Sequence, residues 1–250
     1  MSHRRQSFQT VYQPPVQPRF DIESGLFHNS AEDTVHSLFA PLHYEPGYPY
    51  PLLVWLHGPG SDERQLMRIM PLVSMRNYVA IAPRGTLLSH ASQSGGDQFG
   101  WSQADEHVQQ AEQRIFDSIE LARQKFNVAP RRVFLAGFDA GGTMAFRVAM
   151  NHPYQFAGVL SLGGAFPTGR APLANLPEAR QLAVFLATGR HSLSYGEVAV
   201  CADLRLLHTA GVSITLRLYP CGHEISQQML ADVDRWIIEQ ITATARTEAD

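Results

Sequence analysis

Short apolar runs separated by stretches of helical period dominate the chain from residue 34 onward. Pro51-Leu52-Leu53-Val54-Trp55-Leu56 and Tyr78-Val79-Ala80-Ile81-Ala82-Pro83 read as strands buried on both faces, after an earlier strand over 34–41. Later runs at 131–137, 156–162, 182–188 and 212–219 read the same way. Between them, 105–126 places Val108, Ala111, Ile115, Ile119 and Ala122 on one helical face. Further helices are expected over 61–70, 141–150, 196–210 and 226–244, with Ser61 as the cap of the first and Asp62 and Glu63 in its opening turn. Residues 84–101, rich in Gly and Ser, read as a loop. This alternation predicts an α/β fold, a mostly parallel central sheet with helices on both faces. Ligand sites in such sheets lie at the carboxyl ends of the strands. Residues 34–250 read as one domain, and residues 1–33 as a polar arm or edge segment.

Composition narrows the function classes. The net charge is −3, Lys125 is the only lysine, and no basic stripe is evident, which argues against nucleic acid as a partner. No apolar run is long enough to span a bilayer, and residues 1–20 carry no apolar stretch of the secretory type. Cys201 and Cys221 are the only cysteines, so a reducing, cytoplasmic setting is expected rather than a disulfide framework. No ligand spacing suggests a metal, and no cofactor motif is present.

The chemistry turns on Gly137-Phe138-Asp139-Ala140-Gly141. A predicted strand precedes it and a predicted helix follows, so residue 139 stands at the tip of a sharp turn. There the helix N-terminal amides face whatever side chain it carries. This is the nucleophile-elbow pattern with an aspartate in place of serine. The bland alternative is that Asp139 merely caps the helix.

Other segments complete a pattern. Leu56-His57-Gly58-Pro59-Gly60-Ser61-Asp62 follows the second strand, Pro83-Arg84-Gly85 the third, and Phe99-Gly100-Trp101 lies in the next loop. Gly222-His223-Glu224-Ile225-Ser226 follows the last strand. Taken together, these segments make the chain resemble the α/β-hydrolase superfamily, and within it the phospholipase/carboxylesterase, polyhydroxybutyrate-esterase-like group.

The resemblance implies a serine nucleophile, a histidine base, an acid behind the histidine, and two backbone oxyanion donors. His223 matches the base. The acid position, after the strand over 182–188, falls on Ser192, while the nearby carboxylates Glu197 and Asp203 lie at or inside the next helix. In the oxyanion loop Gly58 is followed by Pro59, which has no N–H to donate, leaving the N–H of Ala140. The resemblance also implies a cleft near His57, lined by Trp101, Phe138, Phe166 and Tyr195. Three of the four catalytic elements thus depart from the pattern, which points to lost or severely reduced serine-esterase chemistry.

Two other readings stay open. Asp139 could be a carboxylate nucleophile with His223 as base, as in the similar haloalkane dehalogenases and epoxide hydrolases. Against this, Ala140 stands where those enzymes carry tryptophan, no carboxylate backs His223, and residues 165–180 are too short for a cap domain. Alternatively the vacated cleft could bind a small ester-like or other small molecule. Cys221, two residues before His223, reads as structural.

Overall fold

The computed structural model describes residues 26–27, 35–89, 97–169 and 171–247. In chain order its strands are β1 (Leu26–Phe27), β2 (His36–Phe39), β3 (Tyr50–Leu56), β4 (Val79–Pro83), β5 (Thr86–Ser89), β6 (Gln98–Gly100), β7 (Val128–Phe138), β8 (Gly158–Leu162), β9 (Ala183–Gly189) and β10 (Ile214–Tyr219). The helices are α1 (Gln65–Val73), α2 (Asp105–Lys125), α3 (Ala140–Asn151), α4 (Leu176–Ala179), α5 (Glu197–Thr209) and α6 (Gln227–Thr247).

Eight strands form one sheet in the order β1-β2-β4-β3-β7-β8-β9-β10. Only the β1–β2 and β2–β4 pairings are antiparallel; from β4 to β10 the sheet is parallel. Its strands bury both faces because side chains alternate across the pleat. Leu52, Val54 and Leu56 of β3 belong to the core layer that also holds buried residues of α2, α3 and α5, whereas Leu53 and Trp55 belong to the layer that holds those of α1 and α6. The apolar face of α2 is buried at all five residues read from its period, Val108, Ala111, Ile115, Ile119 and Ala122.

Two sequence expectations change here. The stretch read as loop contains an antiparallel pair, β5 with β6, on which Gly85 is seated. Ser61 does not cap α1: Arg64 holds that position without a side-chain bond, and Ser61 Oγ accepts from Arg68 instead. Glu63 is fully buried and receives two hydrogen bonds, at 2.6 and 2.7 Å, from the Arg84 guanidinium, so its charge meets a cation rather than the helix amides. Of the segment 1–33, only Leu26–Phe27 is described, as an edge strand; the remainder of the expected arm lies outside the described residues.

Two buried histidines make the fold sensitive to mild acid. His36 Nδ1 pairs with Ser118 Oγ at 2.9 Å, and that hydroxyl donates in turn to the Arg114 carbonyl. His57 bonds Gly58 O through Nδ1 and receives the Gly85 N–H at Nε2, both at 3.0 Å, which fixes it as the Nδ1–H tautomer. Burial is the main cause that lowers both pKa values below the ordinary histidine range. As pH falls through about 6.5 the unfolded chain takes up these protons before the fold does. Stability they contribute is therefore complete above that pH and is lost as pH drops further towards their lowered folded values. The expected result is a lower urea midpoint at pH 5.5 than at pH 7.5, with a shallower dependence in His36→Asn; equal midpoints in the unaltered protein would contradict it.

Candidate active site

The loops that follow β3, β7, β9 and β10 converge at one end of the parallel sheet. Asp139 alone joins β7 to α3, with φ 50° and ψ −119°. A positive φ is uncommon for any residue but glycine, and such strained turns cluster at functional sites. The turn is pinned by Asp139 N–H to the Leu162 carbonyl at 2.9 Å and Thr143 N–H to the Asp139 carbonyl at 3.0 Å. Gly141 is required because a Cβ there would sit on the Leu56 and His57 carbonyl oxygens. Asp139 occupies the N-cap position of α3, yet its side chain makes no capping hydrogen bond. The simple cap reading therefore fails.

The carboxylate turns to His223 instead. Asp139 Oδ1 lies 3.3 Å from His223 Nε2. Nε2 is nonetheless among the described buried atoms without an aligned hydrogen bond. The contact is electrostatic: at this separation opposite partial charges attract even where the angle is poor. At the far end of the ring, His223 Nδ1 is 2.9 Å from Ser192 Oγ, which also accepts the Tyr195 N–H at 3.1 Å. Ser192 is 5% exposed. Gly189 lets the two loops touch, since a Cβ there would overlap the Gly222 carbonyl oxygen. Asp139, His223 and Ser192 thus form a continuous row, with carboxylate and hydroxyl at opposite ends from those of a serine triad.

Nearby carboxylates do not substitute for the missing acid. Asp203 Oδ2 accepts from Tyr195 O–H at 2.7 Å and from the Phe166 N–H at 2.8 Å, and Glu197 is exposed at the start of α5. On the oxyanion side, Pro59 is exposed and offers no N–H. The Gly58 N–H is already given to Gln65 Oε1 at 3.2 Å, an oxygen shared with Trp55 Nε1 at 2.8 Å. Gln65 was not singled out by sequence reasoning, although a buried indole N–H on β3 demands some acceptor. Ala140, half-buried, opens α3 beside Asp139.

The aromatic lining differs from expectation. Trp101, Phe166 and Tyr195 are 3%, 4% and 2% exposed, and His57 is fully buried, so these side chains belong to the core beneath the site. Trp101 Nε1 donates to the His57 carbonyl at 3.0 Å, bracing the loop after β3. The Phe138 ring adjoins the row, its centroid 5.3 Å from that of His223, while Tyr195 reaches it through its backbone N–H. Cys221 is half-buried, and burial, with the Glu224 charge, pushes its thiol pKa up, against the thiolate. Among the described residues no group of three or more His, Cys, Asp or Glu is placed to hold a metal, and no helix is long and apolar enough to cross a membrane.

Comparison with known proteins points the same way as the fold. The sequence profile of the Phospholipase/Carboxylesterase family matches residues 47–241. A Nocardia uniformis subsp. tsuyamanensis protein named as an esterase, NocK, is 31% identical over 139 residues, covering 51% of this chain and 38% of its own. An Oryza sativa subsp. japonica protein named as a carboxylesterase is 27% identical over 123 residues, covering 48% of this chain and 46% of its own. The chain thus spans less than half the length of either relative. In three dimensions it resembles a carboxylesterase from Mesorhizobium loti, with TM-score 0.68 and 18% identity over 86% of this chain and 99% of that one. A Bacillus cereus carboxylesterase gives TM-score 0.65 and 17% identity over 84% of this chain and 96% of that one. At these identities the structures speak for the α/β-hydrolase fold.

Proposed function

Since the chain belongs to the phospholipase/carboxylesterase family of α/β-hydrolases, we propose that it is a member whose serine-type ester hydrolysis has been lost or severely reduced. The exchange of side chains along the row carries this reading: Asp139 stands at the elbow and Ser192 behind His223, 2.9 Å from Nδ1. A carboxylate at the elbow has no proton to surrender to the base, and a hydroxyl behind the imidazole cannot neutralise an imidazolium by charge. Pro59 and the engaged Gly58 amide add the loss of a loop donor for the oxyanion.

Ser192 is poorly suited to attack from the other end. It is almost fully buried and its oxygen already accepts the Tyr195 N–H. The carboxylate-nucleophile alternative gains little support. Among the described residues no carboxylate backs His223, whose Nδ1 meets Ser192 Oγ, and between β8 and β9 the described chain holds one helix, α4, of four residues. What remains is a polar spot at the sheet's carboxyl end, open to use by a small ester-like or other small molecule.

A fluorophosphonate probe tests the proposal, because it marks only serines activated as nucleophiles. The expected result is no labelling of the native protein. Stoichiometric labelling of Ser192 or any other serine of the cleft would overturn it.

A further inference from the structure

We infer that His223 is held as its Nε2–H tautomer, the opposite of what a triad base needs, and that Ser192 sets this tautomer. The inference rests on the reading that the row has lost serine chemistry, and deepens it by giving the imidazole a fixed hydrogen-bond polarity.

The proton count decides it. Ser192 Oγ accepts the Tyr195 N–H at 3.1 Å and lies 2.9 Å from His223 Nδ1. A hydroxyl has one proton to donate, and among the described hydrogen bonds of this oxygen the only acceptor is Nδ1. With Nδ1 accepting, the proton of the neutral ring resides on Nε2. The contact at the other end of the ring favours the same tautomer. A lone pair on Nε2 would face Asp139 Oδ1 across 3.3 Å and be repelled, whereas an N–H there is attracted. The reverse tautomer would crowd two N–H donors onto Ser192 Oγ and strand the hydroxyl proton. A flipped ring fares no better, since it would turn a C–H towards Ser192 and discard the 2.9 Å bond.

In a serine triad Nδ1–H donates to the acid and the Nε2 lone pair takes the nucleophile's proton. Here the order runs Ser192 O–H to Nδ1, then Nε2–H towards Asp139, so exchanging the two end residues has inverted the relay. Neutral His223 cannot receive a proton at Nε2 without first moving its own, at the loss of both interactions. Ser192 is thus a positioning residue.

Long-range proton–nitrogen correlation spectra of the full chain, labelled with ¹⁵N at its eleven histidines, read the tautomer directly in mildly alkaline buffer. The His223 ring is identified by its absence in His223→Gln. The expected result is Nε2–H in at least about tenfold excess over Nδ1–H, about 1.4 kcal/mol. Ser192→Ala is expected to lower the excess severalfold, and Ser192→Thr, which keeps the hydroxyl, to retain it; a serine that only filled space would leave the ratio unmoved. Should Ser192→Ala not fold, the unaltered protein still decides. Nδ1–H as the main form, or an unchanged ratio in a folded Ser192→Ala, would overturn the inference. Ester turnover is scored separately, so failure of the tautomer assignment cannot be mistaken for failure of the loss-of-activity reading.

Discussion

The triple variant Asp139→Ser, Ser192→Asp, Pro59→Gly is expected to hydrolyse short-chain aryl esters measurably, whereas Asp139→Ser alone gains little. In a comparable triad, loss of the nucleophile costs on the order of a million-fold, so restoring the serine is necessary. It is insufficient because the new hydroxyl would meet an imidazole backed by Ser192 rather than by a carboxylate. A triad deprived of its carboxylate runs about ten-thousand-fold slower, the histidine being in the wrong tautomer. Pro59→Gly adds a loop N–H worth roughly a hundred- to a thousand-fold, at an exposed position where the change is sterically easy. The effects are coupled, so the triple variant should exceed what the single changes suggest. Full recovery in Asp139→Ser alone would show that Ser192 and Pro59 are not obstacles.

Arg84→Ala is expected to be the most destabilising of the single changes considered, because it leaves the fully buried Glu63 carboxylate without its bidentate partner. Breaking a buried pair from one side costs about 3–5 kcal/mol. The lower end applies here, since the Arg84 side chain is 23% exposed and water reaches that side of the pair. The same guanidinium lies 4.6 Å over the Phe99 ring, a contact also forfeited. A loss of about 3 kcal/mol corresponds to a Tm lower by roughly 6–12 °C in a domain of this size. Glu63→Gln combined with Arg84→Met, which removes both charges, should recover part of the loss. A Tm within a degree or two of the unaltered protein in Arg84→Ala would show that Glu63 is solvated.

How much of this was legible in the sequence follows from where the information sits. The strands carried their own signal: Leu52 to Leu56 is apolar without a break because both faces of β3 are buried. The face of α2 was equally plain from its period. The elbow could be read because strand, Gly137-Phe138-Asp139-Ala140-Gly141 and helix are contiguous. The resemblance pointed to Ser192 and His223 because each lies in the loop just after a strand, β9 and β10. Longer-range matters were not legible. Glu63 looked like a helix-start acid, and only the folded loops after β3 and β4 bring it to Arg84, 21 positions away. The resemblance placed Trp101 in the cleft lining. Its indole N–H instead reaches back 44 positions to His57, a bond that needs burial. Gln65 gave no sequence signal by itself, because its oxygen matters only once the β3 indole and the Gly58 amide are placed beside it. Local pattern specifies elements and turns, whereas polar groups shared between loops depend on tertiary placement.

The most direct test of the central claim is turnover of short-chain aryl esters by the unaltered protein, with His223→Ala as the control. The expected result is a rate indistinguishable from that of the control, as befits a row whose carboxylate and hydroxyl have changed places. A His223-dependent rate well above the control would contradict it, and would mean that Asp139 and His223 still act together on a substrate.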